Sequence, residues 1–118
     1  MNFQHKQLAR GRWYELSLFE QMANIGSEVE RTISWKNKGN KDYSERAFSR
    51  ALELLGLTIA DKKNRLRLKE VTRTKEALAD YFVFENQYNS SDKQWQNYFN
   101  HFLLAHSLNS SRNCGVKS

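Results

Sequence analysis

The chain has no proline and a single cysteine, and each scarcity excludes a kind of structure. Without proline no helix loses an interior N–H or is forced to kink, so long uninterrupted helices are favoured from the start. Cys114 alone forms no internal disulfide and builds no zinc site, which points to a reducing, cytoplasmic setting without a structural metal. No stretch approaches the ~18 apolar residues of a membrane span. The opening residues MNFQHKQLARGRW also lack the apolar run of a secretory leader, so no membrane partner is expected. Catalytic patterns are missing too. None of His5, His101 and His106 has a glutamate three residues before it, as a di-iron bundle would need. Neither a glycine-rich phosphate loop nor HExxH occurs. Cys114 lies in a polar stretch with no ordered base beside it. The balance favours a non-enzymatic protein that uses no cofactor.

What is present is a pattern of helical faces. At 118 residues, 39% hydrophobic, the chain fills one core and not two. A single helical domain over 1–118 is expected, with its core over about 13–106. The first residues and the polar tail NSSRNCGVKS are read as mobile. Ser17 and Glu20 form a capping box, and Leu18, Met22, Ile25, Val29 and Ile33 then recur on one helical face as far as NKGNK. Asp42 or Ser44 can cap a second helix, whose stripe from Ala47 to Ile59 covers nearly half its circumference. Gly56 within it is read as a close helix approach. Asp61 can cap a third helix with Leu68, Val71, Leu78 and Phe82 inward, ending near Phe84. ENQYNSSD reads as a loop. Ser91 and Gln94 make another capping box, opening a helix with Trp95, Tyr98, Phe99 and Phe102 on one face. With no strand-like alternation and short connections, the expectation is all-α: an up-down-up-down four-helix bundle. The aromatic stripe of the last helix reads as core; any exposed part would suit a homodimer face.

Two groups of polar residues stand out. Between Lys62 and Lys75 lie seven basic residues against Glu70 alone, a net +6 that equals the charge of the whole chain. Projected at 100° per residue, Lys62, Arg65, Lys69 and Arg73 share one face opposite the apolar positions. Such a stripe suits nucleic acid or an acidic protein surface, and equally a solvated helix face. No aromatic residue interleaves it in the sequence to stack on bases. The second group is Gln21, Asn24 and Glu28 on the first helix, with Arg46, Arg50 and Glu53 on a matching flank of the second. A carboxylate and an arginine at a helix boundary can fix register. The other reading is a small cleft lined by Asn24, Glu28 and Arg50, with Asp80 or Tyr81 nearby, in an enzyme subunit acting on nucleotides or RNA.

The strings WYELSLFEQMANIGSEVERTISWKNKGN, AFSRALELLGLTIADKKNRLRLKE and LADYF resemble a family of small uncharacterised prokaryotic helical-bundle proteins, over about Trp13 to Phe102. That resemblance implies a bundle and no particular chemistry. A looser likeness is to HEPN bundles, among which are ribonuclease toxins with an arginine four to six residues before a histidine. His101 and His106 have no arginine at that distance, so the likeness implies a non-catalytic bundle partner. The favoured function is a binding or adaptor module that presents its basic helix.

Overall fold

Ser17 opens the longest run of core positions as expected: its hydroxyl accepts from the Glu20 N–H, and the Glu20 carboxylate accepts from the Ser17 N–H. In the computed structural model the backbone is described from Lys6 to Lys117 and the side chains over residues 11–104. Five α-helices and one 3₁₀ segment follow in order: α1 Lys6–Glu15, α2 Leu18–Asn37, α3 Lys41–Ala60, the 3₁₀ segment Lys62–Arg67, α4 Leu68–Phe82 and α5 Asp92–Lys117. The fold is all-α, with no strand among the described residues. No helix among them is long and apolar enough to cross a membrane.

Helices α2 to α5 form the bundle, and the pairings across each seam show its up-down-up-down course. From α2 to α3, Thr32 meets Ser44 and Glu28 meets Arg50, so rising numbers face falling ones. From α2 to α5, Lys36 meets Asp92 and Gly26 lies against Phe99. From α4 to α5, Tyr81 meets Asp92 and Thr74 meets Tyr98. The core between them is Met22, Ile25, Val29, Ile33, Phe48, Ala51, Leu55, Val71, Leu78, Trp95, Phe99 and Phe102, closed at one end by Trp13.

Several expectations are corrected. Trp13, where the expected core begins, does not extend α2 backwards: it lies on the separate helix α1 and is buried with its indole N–H donated to Thr58 Oγ1 at 3.0 Å. Neither Asp42 nor Ser44 caps α3. Asn40 does, accepting from the Tyr43 N–H, and buried Ser44 instead donates to the Thr32 carbonyl across the seam. Asp61 caps the 3₁₀ segment, so α4 starts only at Leu68, which is exposed rather than inward. At Gly56 an added Cβ would meet nothing within 4 Å; the close approach is at Gly26, where it would stand 2.7 Å from Phe99 Cβ. The backbone of α5 is helical through Lys117. The readings of His5, His106 and Cys114 fall outside the described side chains.

Candidate functional site

The site is best built from the polar network that fixes the 3₁₀ segment. Gln21 is fully buried, which for an amide demands partners on both ends. Its Nε2 donates to the Trp13 carbonyl and to Asp61 Oδ2, each at 2.9 Å, and its Oε1 accepts from Asn64 Nδ2 at 2.8 Å. Asn64 also donates to the Thr58 carbonyl at 3.0 Å, and Asp61 is ion-paired with Lys63. Burial alone would push the Asp61 carboxyl up, but hydrogen bonds from Lys63 and Gln21 outweigh it and hold its pKa below the usual carboxylate value. One buried amide therefore ties α1, α2 and the 3₁₀ segment together, and the basic residues that follow are carried on a fixed base.

The basic stripe is divided by this geometry. Lys62 and Arg65 lie on the 3₁₀ segment, where residues three apart eclipse one another; the α-helical projection does not apply there. Lys69 and Arg73 lie one turn apart on α4. All four are exposed, and none has a carboxylate within salt-bridge distance among the described residues. Their neighbours differ. Lys63 is occupied by Asp61 and the Tyr14 carbonyl, and Arg67 by Glu70 at 2.7 Å. Lys75 is half-buried.

Beside Lys69 and Arg73 runs a groove of about 670 Å³ between α4 and α5. It exists because α4 packs chiefly on α3 and α5 chiefly on α2. The fourth side of the bundle is bridged instead by side chains, with Tyr98 OH 2.9 Å from Thr74 Oγ1 and Tyr81 OH 2.5 Å from Asp92 Oδ1. Trp95, Tyr98, Ala77, Tyr88 and Leu66 line the groove together with the cations Arg67, Lys69 and Arg73 and one carboxylate, Glu70, which is paired with Arg67. Leu66 is 94% exposed and Tyr88 62%. Tyr88 comes from the loop after α4, where Asn86 and Asn89 have positive φ. The Asp80 carboxylate holds that loop by accepting from the N–H groups of Gln87 and Tyr88 at 2.8 and 3.0 Å. Trp95 is 8% exposed, and its indole N–H has no partner among the described residues. A buried donor left open in this way costs ~1–3 kcal/mol.

The second polar group does not come together as a cleft. Glu28 Oε1 accepts from Arg50 at 3.2 Å across the α2–α3 seam, and Glu28 Oε2 from Arg31 at 3.0 Å. Asn24 is exposed and donates to the Glu20 carbonyl of its own helix, while Arg46 lies over the Tyr43 ring. Glu53 is half-buried beyond them. Asp80 holds the loop, and Tyr81 joins Lys36 and Asp92 at the far end of the bundle. A depression of about 740 Å³ near Lys36, Lys41 and Ser44 is larger than the groove. Several of its polar side chains are engaged: Ser44 with the Thr32 carbonyl, Lys36 with Asp92 at 2.7 Å, and Lys41 with Glu45 at 4.0 Å. Among the described residues no cluster of acidic, histidine or cysteine side chains could hold a metal.

The sequence alone does not show that Tyr88, Trp95 and Tyr98 lie beside the basic residues. They are distant in the chain, and two of them sit on a stripe that reads as core. Compared with protein-family profiles, curated proteins and solved structures, the chain matches none. Its function is therefore read from this geometry.

Proposed function

We propose that the protein is a non-enzymatic, cytoplasmic binding module that contacts nucleic acid through Lys62, Arg65, Lys69 and Arg73. The observation that carries this reading is that these four cations are exposed and unpaired among the described residues. They stand on elements held by a buried network. Unpaired surface cations cost little in isolation, and opposite a phosphate chain each releases a condensed counterion, which makes binding steeply salt-dependent. The catalytic alternative draws no support from the bonding of these residues: Glu28 and Arg50 pair with each other, and Asn24 donates to the Glu20 carbonyl of its own helix.

Fluorescence anisotropy of a labelled single-stranded oligonucleotide, titrated across a range of salt, tests the reading. With four cations engaged, log K should fall against log salt with a slope of roughly −3, at about 0.7 per phosphate. Reversing all four charges to glutamate should abolish binding and leave the melting temperature nearly unchanged, because the side chains are exposed. Absence of binding at low salt, or binding that survives the reversal, would remove this function.

A further inference from the structure

We infer that the groove between α4 and α5 is a subsite for an unpaired nucleobase, so that the ligand of the basic face is single-stranded. This rests on the nucleic-acid reading above and narrows it. A base presents two flat π faces, a polar edge and a charged backbone, and the groove has a counterpart to each. Aromatic surface comes chiefly from the exposed Tyr88 and the half-buried Tyr98, with Ala77 and the mostly buried Trp95 also in the lining. Base stacking on such rings tolerates any base, because every base has a π face. Cations at the edge, Lys69 and Arg73, lie where the phosphates flanking a seated base would pass, and Ser90 and Gln94 offer hydrogen-bonding groups for a base edge. With the lining carboxylate Glu70 offset by Arg67, the unpaired Lys69 and Arg73 leave the groove positive, which favours an anionic chain, and the aromatic lining favours one with exposed planar groups.

Two details favour a receptive groove over an incidental gap. Tyr88 is exposed, yet it is not loose: the Asp80 carboxylate accepts from its N–H and from that of Gln87. Tyr98 is fixed on the opposite side by Thr74. A duplex keeps its bases stacked and paired, so it could meet the cations but not fill the groove.

The decisive experiment compares wild-type protein with Tyr88→Ala, Asp80→Ala and Trp95→Phe against four probes. These are oligothymidylate, an abasic strand with the same number of phosphates, a duplex of mixed sequence, and polyglutamate. Wild type should bind oligothymidylate roughly tenfold tighter than the abasic strand, the scale of one stacked base. Tyr88→Ala should erase that difference without changing abasic binding, and Asp80→Ala should reduce it by freeing the loop. Tryptophan emission should be quenched by oligothymidylate in wild type and unchanged in Trp95→Phe. Because Tyr88 is exposed, its variant keeps the test readable if Trp95→Phe unfolds. Equal binding of the thymidine and abasic strands would overturn the base subsite and leave the nucleic-acid reading intact. Binding of neither strand, or displacement of both by polyglutamate at equal charge, would overturn the two together, the latter in favour of an acidic protein partner.

Discussion

Two glycines on neighbouring helices have opposite consequences. Gly26 faces α5 so closely that an added Cβ would lie 2.7 Å from Phe99 Cβ and about as near its ring. Phe99 Cβ is fixed to its backbone and cannot swing aside, so Gly26→Ala must push α2 and α5 apart. An overpacking loss of ~1–3 kcal/mol is expected, read as a lowered melting temperature in circular dichroism. Gly56 lies inside α3 with open space where its Cβ would be. Gly56→Ala should stabilise by about 1 kcal/mol, because only the helix propensity and the entropy of the unfolded chain change. Equal shifts of one sign for the two variants would contradict these placements. Sequence periodicity does not separate the two cases. A glycine in a helical pattern signals either a close approach or mere tolerance, and nothing in the sequence near Gly56 decides between them. The deciding fact, Phe99 opposite Gly26, belongs to a helix far along the chain.

Among the elements, the 3₁₀ segment is what the sequence hides and what places the basic residues. Its start is legible, since Asp61 is a capping residue and does accept from the Lys63 N–H. Its type is not, because six residues rich in cations carry no periodicity that separates three from 3.6 residues per turn. Gln21 illustrates the same limit. A polar residue beside an apolar stripe reads as a seam residue, and the Glu28–Arg50 pair does lie on the α2–α3 seam. Gln21 instead serves the far turn, through Asp61 and Asn64, some forty residues away. Gln21→Ala would leave the Trp13 carbonyl, Asp61 and Asn64 each short of a buried partner. A loss of ~2–4 kcal/mol is expected, at ~1–3 kcal/mol for each buried group that fails to find a new partner. Glu28→Gln keeps an oxygen facing Arg50 and removes only the charge from a pair whose side chains are 14% and 34% exposed, and should cost about 1–2 kcal/mol. Urea titrations of the two variants order these costs, and a larger loss at Glu28 than at Gln21 would refute the assignment of roles.

At the scale of the whole molecule, the bundle is fastened by carboxylates at both ends, and this sets its response to pH. Asp61 holds the end where α3 gives way to the 3₁₀ segment. Asp92 holds the other, accepting from Lys36 at 2.7 Å, from Tyr81 at 2.5 Å and from Asn37 at 3.3 Å. Burial pushes both carboxyls up, but hydrogen bonds from Lys63 and Gln21 in one case, and from Lys36 and Tyr81 in the other, leave both below the usual value. A folded-state pKa below that of the unfolded chain means the unfolded chain takes up protons first. The stabilisation is therefore complete above the unfolded value of about 4 and is lost as pH falls through the folded values. At the alkaline side the sign reverses. Burial opposes the charge on Lys36, yet Asp92 and Tyr81 raise its pKa; burial and Asp92 together raise that of Tyr81. Their contribution is complete below the unfolded values near 10 and is lost as pH rises through the folded ones. Melting temperature followed by circular dichroism should thus show a plateau between an acid and an alkaline limb. Asp92→Asn tests the origin of both. It removes the depressed carboxyl, so the acid fall becomes shallower, and it takes from Lys36 and Tyr81 the charge that raised them, so the alkaline fall becomes shallower too. The plateau itself should drop, because the ion pair that joins α2 to the start of α5 is gone. A variant whose acid and alkaline limbs both matched wild type would show that the Lys36–Tyr81–Asp92 cluster does not fasten this end of the bundle.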